Sequence, residues 1–236
     1  MVTATKNGKA AANRVKAAEA DALESPKEKG KALRLVITPL RERIAAFKIV
    51  GSAPLMMCKF STVKFNKMKE AQEAGSQKGA RKERTAREFD KDFREASYVS
   101  REGWHGIPAA SFRNGMVSTC KMCGFHMSKA KMSIFIEADG YDAETNDPLV
   151  RIHSKAPIKD LRPARNDNGS CDIRARPIYE NWSVVVRIRW DEDQFSITDI
   201  ANLLHRMGCQ NGVGEGRAKS KKSTGMGFGS FVLEMK

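Results

Sequence analysis

Alternating apolar and polar positions mark several segments of the chain as β-strands. The pattern is clearest at 182–190 (Trp-Ser-Val-Val-Val-Arg-Ile-Arg-Trp), where every second residue is apolar. A period of two places alternate side chains on the same face of a sheet. The other segments that we interpret as strands are 46–50, which resumes at 55–60, then 131–138 and finally 228–235.

Apolar residues at intervals of three and four predict two helices. The first begins at Pro108, a residue suited to the first turn, and Gly115 weakens its middle. The second begins at Ser196, a good N-cap with Asp199 three residues later, and is predicted to end at Gly208. The apolar face of the second helix consists of Ile197, Ile200, Leu203, Leu204 and Met207.

The order strand, helix, strand, strand, helix, strand is typical of an α+β fold. We expect a ferredoxin-like or RRM-like antiparallel sheet with two helices covering one face. Segment 149–153 is predicted to be the hairpin partner of 131–138 across the polar turn at 139–148, which would form a β-hairpin arm. Segment 155–177 contains three prolines and a glycine and is predicted to be a long connection.

Two segments lack the regularly spaced apolar residues that indicate a buried strand or helix. Residues 1–32 are rich in Ala, Lys, Glu and Gly, and this composition predicts a flexible basic N-terminal arm. Residues 33–236 are then the RRM-like core domain. Within this domain, about residues 64–98 form a long charged insertion, which we expect to be a helical or disordered excursion from the sheet.

Composition narrows the class of protein. Among 236 residues, 41% are hydrophobic and 30% charged, which allows one sizeable core beneath a highly charged surface. No run approaches the roughly 18 apolar residues that span a bilayer, and the start of the chain has no secretory signal. We therefore expect a cytoplasmic protein that is not bound to a membrane.

The net charge indicates an anionic partner. Lys and Arg number 42 against 28 Asp and Glu, a formal charge of +14. The positive residues cluster at 6–34, 64–94 and 217–222, in segments without a core pattern. Such clustering is typical of arms that reach phosphates, although a basic surface can also serve solubility alone.

Cysteine usage indicates a reducing compartment, because the five cysteines are few, odd in number and scattered. We expect them to be buried free thiols. Cys120 and Cys123 form a lone Cys-x-x-Cys followed by His126, which is a weak candidate for a metal site because no second pair supplies further ligands. No metal and no other cofactor is expected.

The segment 212–229 combines glycines with a basic tip. Glycine permits a positive φ and a close approach of a ligand to the backbone, and neighbouring lysines could then hold phosphate oxygens. The alternative is a mobile hairpin loop whose glycines merely permit turns. The candidate nucleic-acid-binding residues are Gly214, Gly216, Arg217, Lys219, Lys221, Lys222, Gly225 and Gly227.

A second candidate is the loop that enters the first helix at 104–116. Ser111 and Arg113 lie near the predicted helix N-terminus, where backbone amides and the helix dipole favour an anion. The alternative is an ordinary helix that begins at a proline and packs on the sheet.

The two motifs together resemble the RAMP superfamily. Ile107-Pro-Ala-Ala-Ser-Phe-Arg-Asn-Gly-Met116 is similar to its signature I-P-G-S-S-L-K-G, and the glycine-rich run is similar to its C-terminal G-loop. Ala109 and Ala110 depart from the signature. The nearest resemblance is to the repeated backbone subunit of CRISPR effector complexes, or to a phage-encoded relative. This resemblance implies subunits that pack side by side along one strand, with little sequence preference.

The leading expectation is therefore a binding protein rather than an enzyme. It would bind single-stranded RNA or DNA through phosphates and multimerise along its ligand as a filament or multisubunit complex. One alternative is a phage structural or single-strand-annealing protein. A second is an RNA-processing endoribonuclease of the RAMP type, for which His105 is the candidate general base.

Overall fold

The computed structural model describes residues 37–75, 86–165, 171–219 and 225–234. The chain divides into two units, Met1–Pro39 and Leu40–Lys236. Only the last three residues of the first unit are described, so the arm predicted at 1–32 lies outside the described residues. The helices and strands reported below all belong to the second unit.

The described residues form an α+β fold. Its strands are β1 Glu42–Gly51, β2 Leu55–Met56, β3 Gly106–Pro108, β4 Ile134–Glu137, β5 Gly140–Tyr141, β6 Pro148–Ser154, β7 Ile158–Arg165, β8 Cys171–Tyr179, β9 Trp182–Asp191 and β10 Phe231–Leu233. Its helices are α1 Thr62–Glu73, α2 Phe89–Glu95, α3 Ala109–Met122, α4 Met127–Ser133 and α5 Ile197–Gln210. In the part of the chain that the structure describes, no helix is long and apolar enough to cross a membrane.

The main sheet is antiparallel and is built around β9. Its strands follow the order β10-β1-β9-β6-β3, while β4 also pairs with β9 and β5 with β6. The predicted strand at 182–190 is confirmed, and its alternate residues Val184, Val186 and Ile188 are fully buried. Strand β1 lies beside β9 along nearly its whole length, from Glu42 opposite Asp191 onward.

Helices α3 and α5 cover one face of this sheet. Phe112 of α3 meets Phe231 of β10 edge to face, with ring centroids 6.3 Å apart. Ile200 and Leu204 of α5 are fully buried, and burial of each such side chain contributes about 1.5–3 kcal/mol. The predicted start of α5 is confirmed, because Ser196 and Asp199 form a capping box.

Helix α5 does not end at Gly208, as the sequence predicted, but runs on to Gln210. Gly208 is buried instead, where a Cβ would lie 2.2 Å from the carbonyl oxygen of Phe231. The glycine therefore allows α5 to approach β10 closely rather than stopping the helix.

A second, three-stranded sheet has the order β2-β8-β7, and α2 packs against β8. The prediction of a long connection at 155–177 is therefore wrong. Most of that segment forms the β7–β8 hairpin, which brings Ile158 opposite Ile178 and Arg162 opposite Arg174. Prolines within β7 and β8 hid the strand pattern in the sequence.

The predicted hairpin of 131–138 with 149–153 is also wrong. Residues up to Ser133 belong to α4, so that β4 begins at Ile134. Strand β6 pairs with β9, β3 and β5 but not with β4. Both β4 and β6 lie along the same edge of β9, opposite residues 187–190 and 182–184.

The described parts of the charged insertion at 64–98 are largely helical. They contain most of α1 and all of α2, separated by residues outside the described ranges. Ion pairs fix helix α2 to the second sheet. The guanidinium of Arg87 contacts the carboxylates of Asp92 in α2 and of Asp172 in β8. The carboxylate of Asp90 in α2 lies 2.5 Å from the ammonium of Lys159 in β7.

Candidate functional site

A cleft of about 640 Å³ lies between α3 and the glycine-rich segment that follows α5. It brings together the two motifs that the sequence singled out, although about 100 residues separate them along the chain. Its floor is completed by residues after β2 and by Tyr98. Two segments that are distant in the sequence thus form one concave surface.

One wall of the cleft is a polar stripe on α3. Ser111, Asn114 and Ser118 line the cleft at helical spacings of three and four, while Phe112 and Met116 on the opposite side are fully buried. The helix begins after Pro108, and none of the side chains that the structure describes caps its first amides. Unpaired amides at a helix N-terminus, together with the dipole, favour an anion. This wall is therefore suited to phosphate oxygens.

The other wall carries positive charge. Arg217 and Lys219 both line the cleft. The Arg217 guanidinium donates to the carbonyl oxygen of Gly214 at 2.8 Å, and the Lys219 ammonium donates to the hydroxyl of Ser118 at 2.7 Å. Lys219 thus spans the cleft from one wall to the other.

The base of the glycine-rich segment is held by backbone hydrogen bonds. The amide of Val213 donates to the carbonyl of Gly229, and that of Phe228 to the carbonyl of Gly216. Gly214 has a φ of +76°, and a Cβ there would lie 2.4 Å from the carbonyl oxygen of Met56. Glycine is required at this position by both its backbone angle and the available space. These contacts hold the base of the glycine-rich segment, where it lines the cleft, against β2.

Glu215 is an acidic exception within the cleft, and its charge is compensated. Arg176 of β8 donates to Glu215 at 2.5 Å, and Arg174 lies 3.9 Å away. The Arg176 side chain is almost fully buried, so the pair links the glycine-rich segment to the second sheet. Arg217 and Lys219 then leave the cleft with a net positive charge.

The ionisable side chains on the floor of the cleft are neutral near pH 7. Loss of solvent, followed by the nearby Asp147, raises the pKa of Tyr98. The Cys58 side chain is exposed to the cleft, but the protein around it still excludes part of its solvent; this loss of solvent, followed by the carboxylate of Glu215, raises the pKa of the thiol. A thiol with a raised pKa is a poor nucleophile, which argues against cysteine catalysis in this cleft.

Not every predicted binding residue lies in the cleft. The Arg113 guanidinium donates to the backbone carbonyls of Ile134 and Lys131, and lies over the ring of Phe135 at 5.1 Å. It joins α3 to the junction of α4 and β4. Gly216, Gly225 and Gly227 belong to the same glycine-rich segment as the wall but not to the cleft lining. Lys221 and Lys222 lie outside the described residues.

His105 is paired with a tyrosine rather than placed in the cleft. Its Nδ1 lies 2.8 Å from the hydroxyl oxygen of Tyr179, and burial lowers the pKa of its imidazole. Burial also raises the pKa of Tyr179 to about 12. The arrangement links the loop before β3 to the end of β8.

The cysteines are less buried than expected. Only Cys120 is buried, and burial raises its pKa to about 11, whereas Cys58, Cys123, Cys171 and Cys209 are exposed. The expectation of buried thiols is therefore wrong for four of the five. His126 is exposed. Across the described ranges, no three or more His, Cys, Asp or Glu side chains are grouped to hold a metal ion.

Several lining residues were missed in the sequence. Asn114 and Ser118 could have been found, because with Ser111 they recur at the helical spacings of three and four residues. Tyr98 and Asn211 come from segments with no motif, and only the folded chain brings them to the cleft. Comparison of the sequence with models of known protein families gives no match, and no curated protein is significantly similar to it.

Proposed function

We propose that the protein binds single-stranded nucleic acid through its phosphate backbone, and that its subunits assemble along the strand. The observation that carries this proposal is the meeting of the α3 polar stripe with Arg217 and Lys219 across one cleft. Amides and hydroxyls on one wall and cations on the other are the groups that bind phosphates in nucleic-acid complexes.

The cleft lining also bears on specificity. Tyr98 is the one aromatic side chain among the described lining residues. Stacking on aromatic side chains contributes roughly 1–3 kcal/mol per base in single-strand binders, so this cleft offers little of it. Binding is therefore dominated by phosphates and has little sequence preference, for RNA and DNA alike.

The finer fold class belongs to the same proposal. The sheet order β10-β1-β9-β6, with α3 and α5 on one face, supports a ferredoxin-like, RRM-like core. The resemblance to the RAMP superfamily and to the backbone subunit of CRISPR effector complexes remains part of this proposal. A cytoplasmic location agrees with the five free cysteines, since disulfides are rare in reducing compartments.

The test removes charge from the cleft while keeping hydrogen-bonding side chains. In the double variant Arg217→Gln/Lys219→Gln, we expect weaker binding of both oligouridylate and oligodeoxythymidylate. The slope of log affinity against log salt should fall by about 0.7 for each phosphate that is no longer neutralised. Fluorescence anisotropy across a salt series measures both quantities.

The matched control removes the same charge elsewhere. Lys129 and Arg206 are exposed basic residues on α4 and α5 outside the cleft lining. The variant Lys129→Gln/Arg206→Gln should keep the salt slope of the unmodified protein. If the two double variants lost the same affinity, binding would depend on the overall charge rather than on the cleft. An unchanged salt slope in the cleft variant would overturn the proposed site.

A further inference from the structure

A second cleft, of about 380 Å³, lies between α2, β8 and the segment that follows β2. It adjoins the first cleft, because Cys58 lines both of them. A further link is an ion pair between the two linings, in which Glu215 of the first cleft lies 2.5 Å from Arg176 of the second. A chain molecule that lies in the first cleft is therefore within reach of the second.

The second cleft contains an exposed aromatic side chain. Phe60 belongs to its lining and is 57% exposed. Burial alternates along this segment, because Met57 and Lys59 are buried whereas Cys58 and Phe60 are exposed. Such alternation is typical of an extended chain, in which residues two apart lie on the same side at about 7 Å from one another. Phe60 therefore lies on the same side as Cys58, the residue that the two clefts share.

The backbone that carries Phe60 is held on both sides. The amide of Lys59 donates to the carbonyl oxygen of Ala96 at 2.9 Å, and the Lys59 side chain is buried in an ion pair. The hydroxyl of Ser61 donates to the carboxylate of Glu95 at 2.7 Å. An exposed ring on an anchored backbone is preorganised, because little conformational freedom is lost when a ligand packs on it.

The charge of the second cleft suits an uncharged ligand better than a phosphate. Four basic and three acidic side chains line it. Each basic side chain is paired with a carboxylate; these side chains are Lys59, Arg87, Arg174 and Arg176. In the first cleft, by contrast, Arg217 and Lys219 donate to uncharged groups. A nucleobase is planar and uncharged, so it fits an aromatic ring among compensated charges.

We propose that Phe60 stacks on a base of the strand whose phosphates lie in the first cleft. This inference rests on the proposed function, because it adds a base contact to the phosphate contacts named there. Every base has a flat face on which an aromatic ring can stack, so the contact adds affinity without sequence preference. The guanidinium groups of Arg87 and Arg174 also line this cleft, and such groups stack on bases or donate to their edges.

The stacking contact differs from the phosphate contacts in two measurable properties. Stacking of uncharged rings releases no counterions, so its loss lowers the affinity by the same factor at every salt concentration. Stacking also requires a base, whereas the phosphate contacts are kept by a strand of abasic nucleotides. The contribution of Phe60 can therefore be measured apart from that of the cations in the first cleft.

The experiment measures binding of the full chain to two oligomers of equal length, by fluorescence anisotropy across a salt series. One is oligodeoxythymidylate, and the other is its abasic counterpart, which keeps the sugars and phosphates. We expect Phe60→Ala to bind oligodeoxythymidylate about tenfold more weakly, which is within the range for one stacked base. Its salt slope and its affinity for the abasic oligomer should stay unchanged. Phe60→Trp should bind oligodeoxythymidylate at least as tightly as the unmodified protein.

Phe65 of α1 provides the matched control, because it is also 57% exposed but lines neither of the two clefts. Phe65→Ala should bind both oligomers as the unmodified protein does. More than half of each ring is exposed, so neither alanine substitution should unfold the protein. Three results would overturn the inference: unchanged binding of oligodeoxythymidylate by Phe60→Ala, an equal loss for the two oligomers, or an equal loss in Phe65→Ala.

The same measurements separate this inference from the proposed function. Normal binding of both oligomers, with no effect of Phe60→Ala, would reject the stacking contact and keep the phosphate site. Failure of the unmodified protein to bind either oligomer would reject the proposed function and the stacking contact with it.

Discussion

Lys59 is one of the few charged side chains that the described chain buries. Its ammonium lies 2.7 Å from Asp142 and 3.0 Å from Glu144, and its side chain is 5% exposed. Removal of one partner from a buried ion pair leaves the other charge uncompensated in a medium that solvates it poorly. The pair therefore fixes the base of α1 only while both charges are present.

The variant Lys59→Met keeps the apolar stem and removes the charge. We expect it to lower the free energy of unfolding by about 3 kcal/mol, because Asp142 would stay buried and unpaired. Urea unfolding followed by circular dichroism measures the change. As the control, Lys69→Met at the exposed pair with Glu73 should cost less than about 0.5 kcal/mol. Equal costs would show that burial of the Lys59 pair has no energetic consequence.

The same pair makes stability depend on pH. Burial opposes ionisation of Asp142, but hydrogen bonds from Lys59 and from the amides of Thr145 and Glu144 outweigh it and lower the pKa of the carboxyl. Its contribution is therefore present above the unfolded pKa of about 4 and is lost as the pH falls through the lower folded value. In the variant Asp142→Asn, this part of the acid dependence of the unfolding free energy should be absent.

At the scale of elements, the approach of α5 to β10 depends on Gly208. Alanine favours a helix by about 1 kcal/mol over glycine, but its Cβ here would lie 2.2 Å from a backbone oxygen of Phe231. We expect Gly208→Ala to be destabilising by about 1–2 kcal/mol, because overpacking against backbone outweighs the helical preference. Thermal and urea unfolding measure this change.

Gly115 of α3 is the matched comparison. A Cβ there would lie 2.2 Å from the terminal methyl of Met207, which is the end of a flexible side chain and can rotate away. Gly115→Ala should therefore cost less than Gly208→Ala. The reverse order would mean that the α3–α5 contact, rather than the α5–β10 contact, limits how closely the layers pack.

The sequence predicted well those helices and strands that bury one side and expose the other, because such burial leaves apolar residues at regular intervals. Strand β9 and helix α5 bury regularly spaced side chains, so their pattern survives in the sequence. Strand β8 buries Arg176, and this is possible only because Glu215 pairs with it. Because Glu215 lies 39 residues from Arg176 in the sequence, the local pattern of apolar and polar residues cannot reveal that this buried charge is paired.

At the scale of the whole molecule, charge is distributed unevenly. The cleft carries Arg217 and Lys219, whereas strand alternation places four basic and four acidic residues on the face of the main sheet away from α3 and α5, within a chain of +14. Nucleic-acid binding in the cleft should therefore weaken with salt, because salt competes for the phosphates.

We expect oligonucleotide affinity to fall as salt rises from about 50 to 200 mM. Fluorescence anisotropy across the salt series measures the affinity. The variant Arg217→Gln/Lys219→Gln should weaken this dependence on salt. An affinity that does not change with salt would contradict binding through phosphates.

The candidate site could be predicted in its parts but not as a whole. Composition indicated the glycine-rich segment, and a helix-start pattern indicated Ser111. That the two meet is a long-range consequence of packing α3 beside α5. Arg113 was predicted to bind phosphate because it is a basic residue near a helix start. Its guanidinium donates instead to the backbone carbonyl of Ile134, and a local sequence pattern cannot distinguish these two roles.

Strand β1 is the first strand of the main sheet, yet both of its neighbours come late in the chain. Val50 pairs with Ser183 on one side and with Val232 on the other. During synthesis on the ribosome, β1 must therefore stay unpaired until most of the chain has been made. Contacts of such long sequence separation slow folding and prolong exposure of unpaired edges. We therefore expect the edges of β1 to stay open to chaperones or to other chains until β9 and β10 emerge.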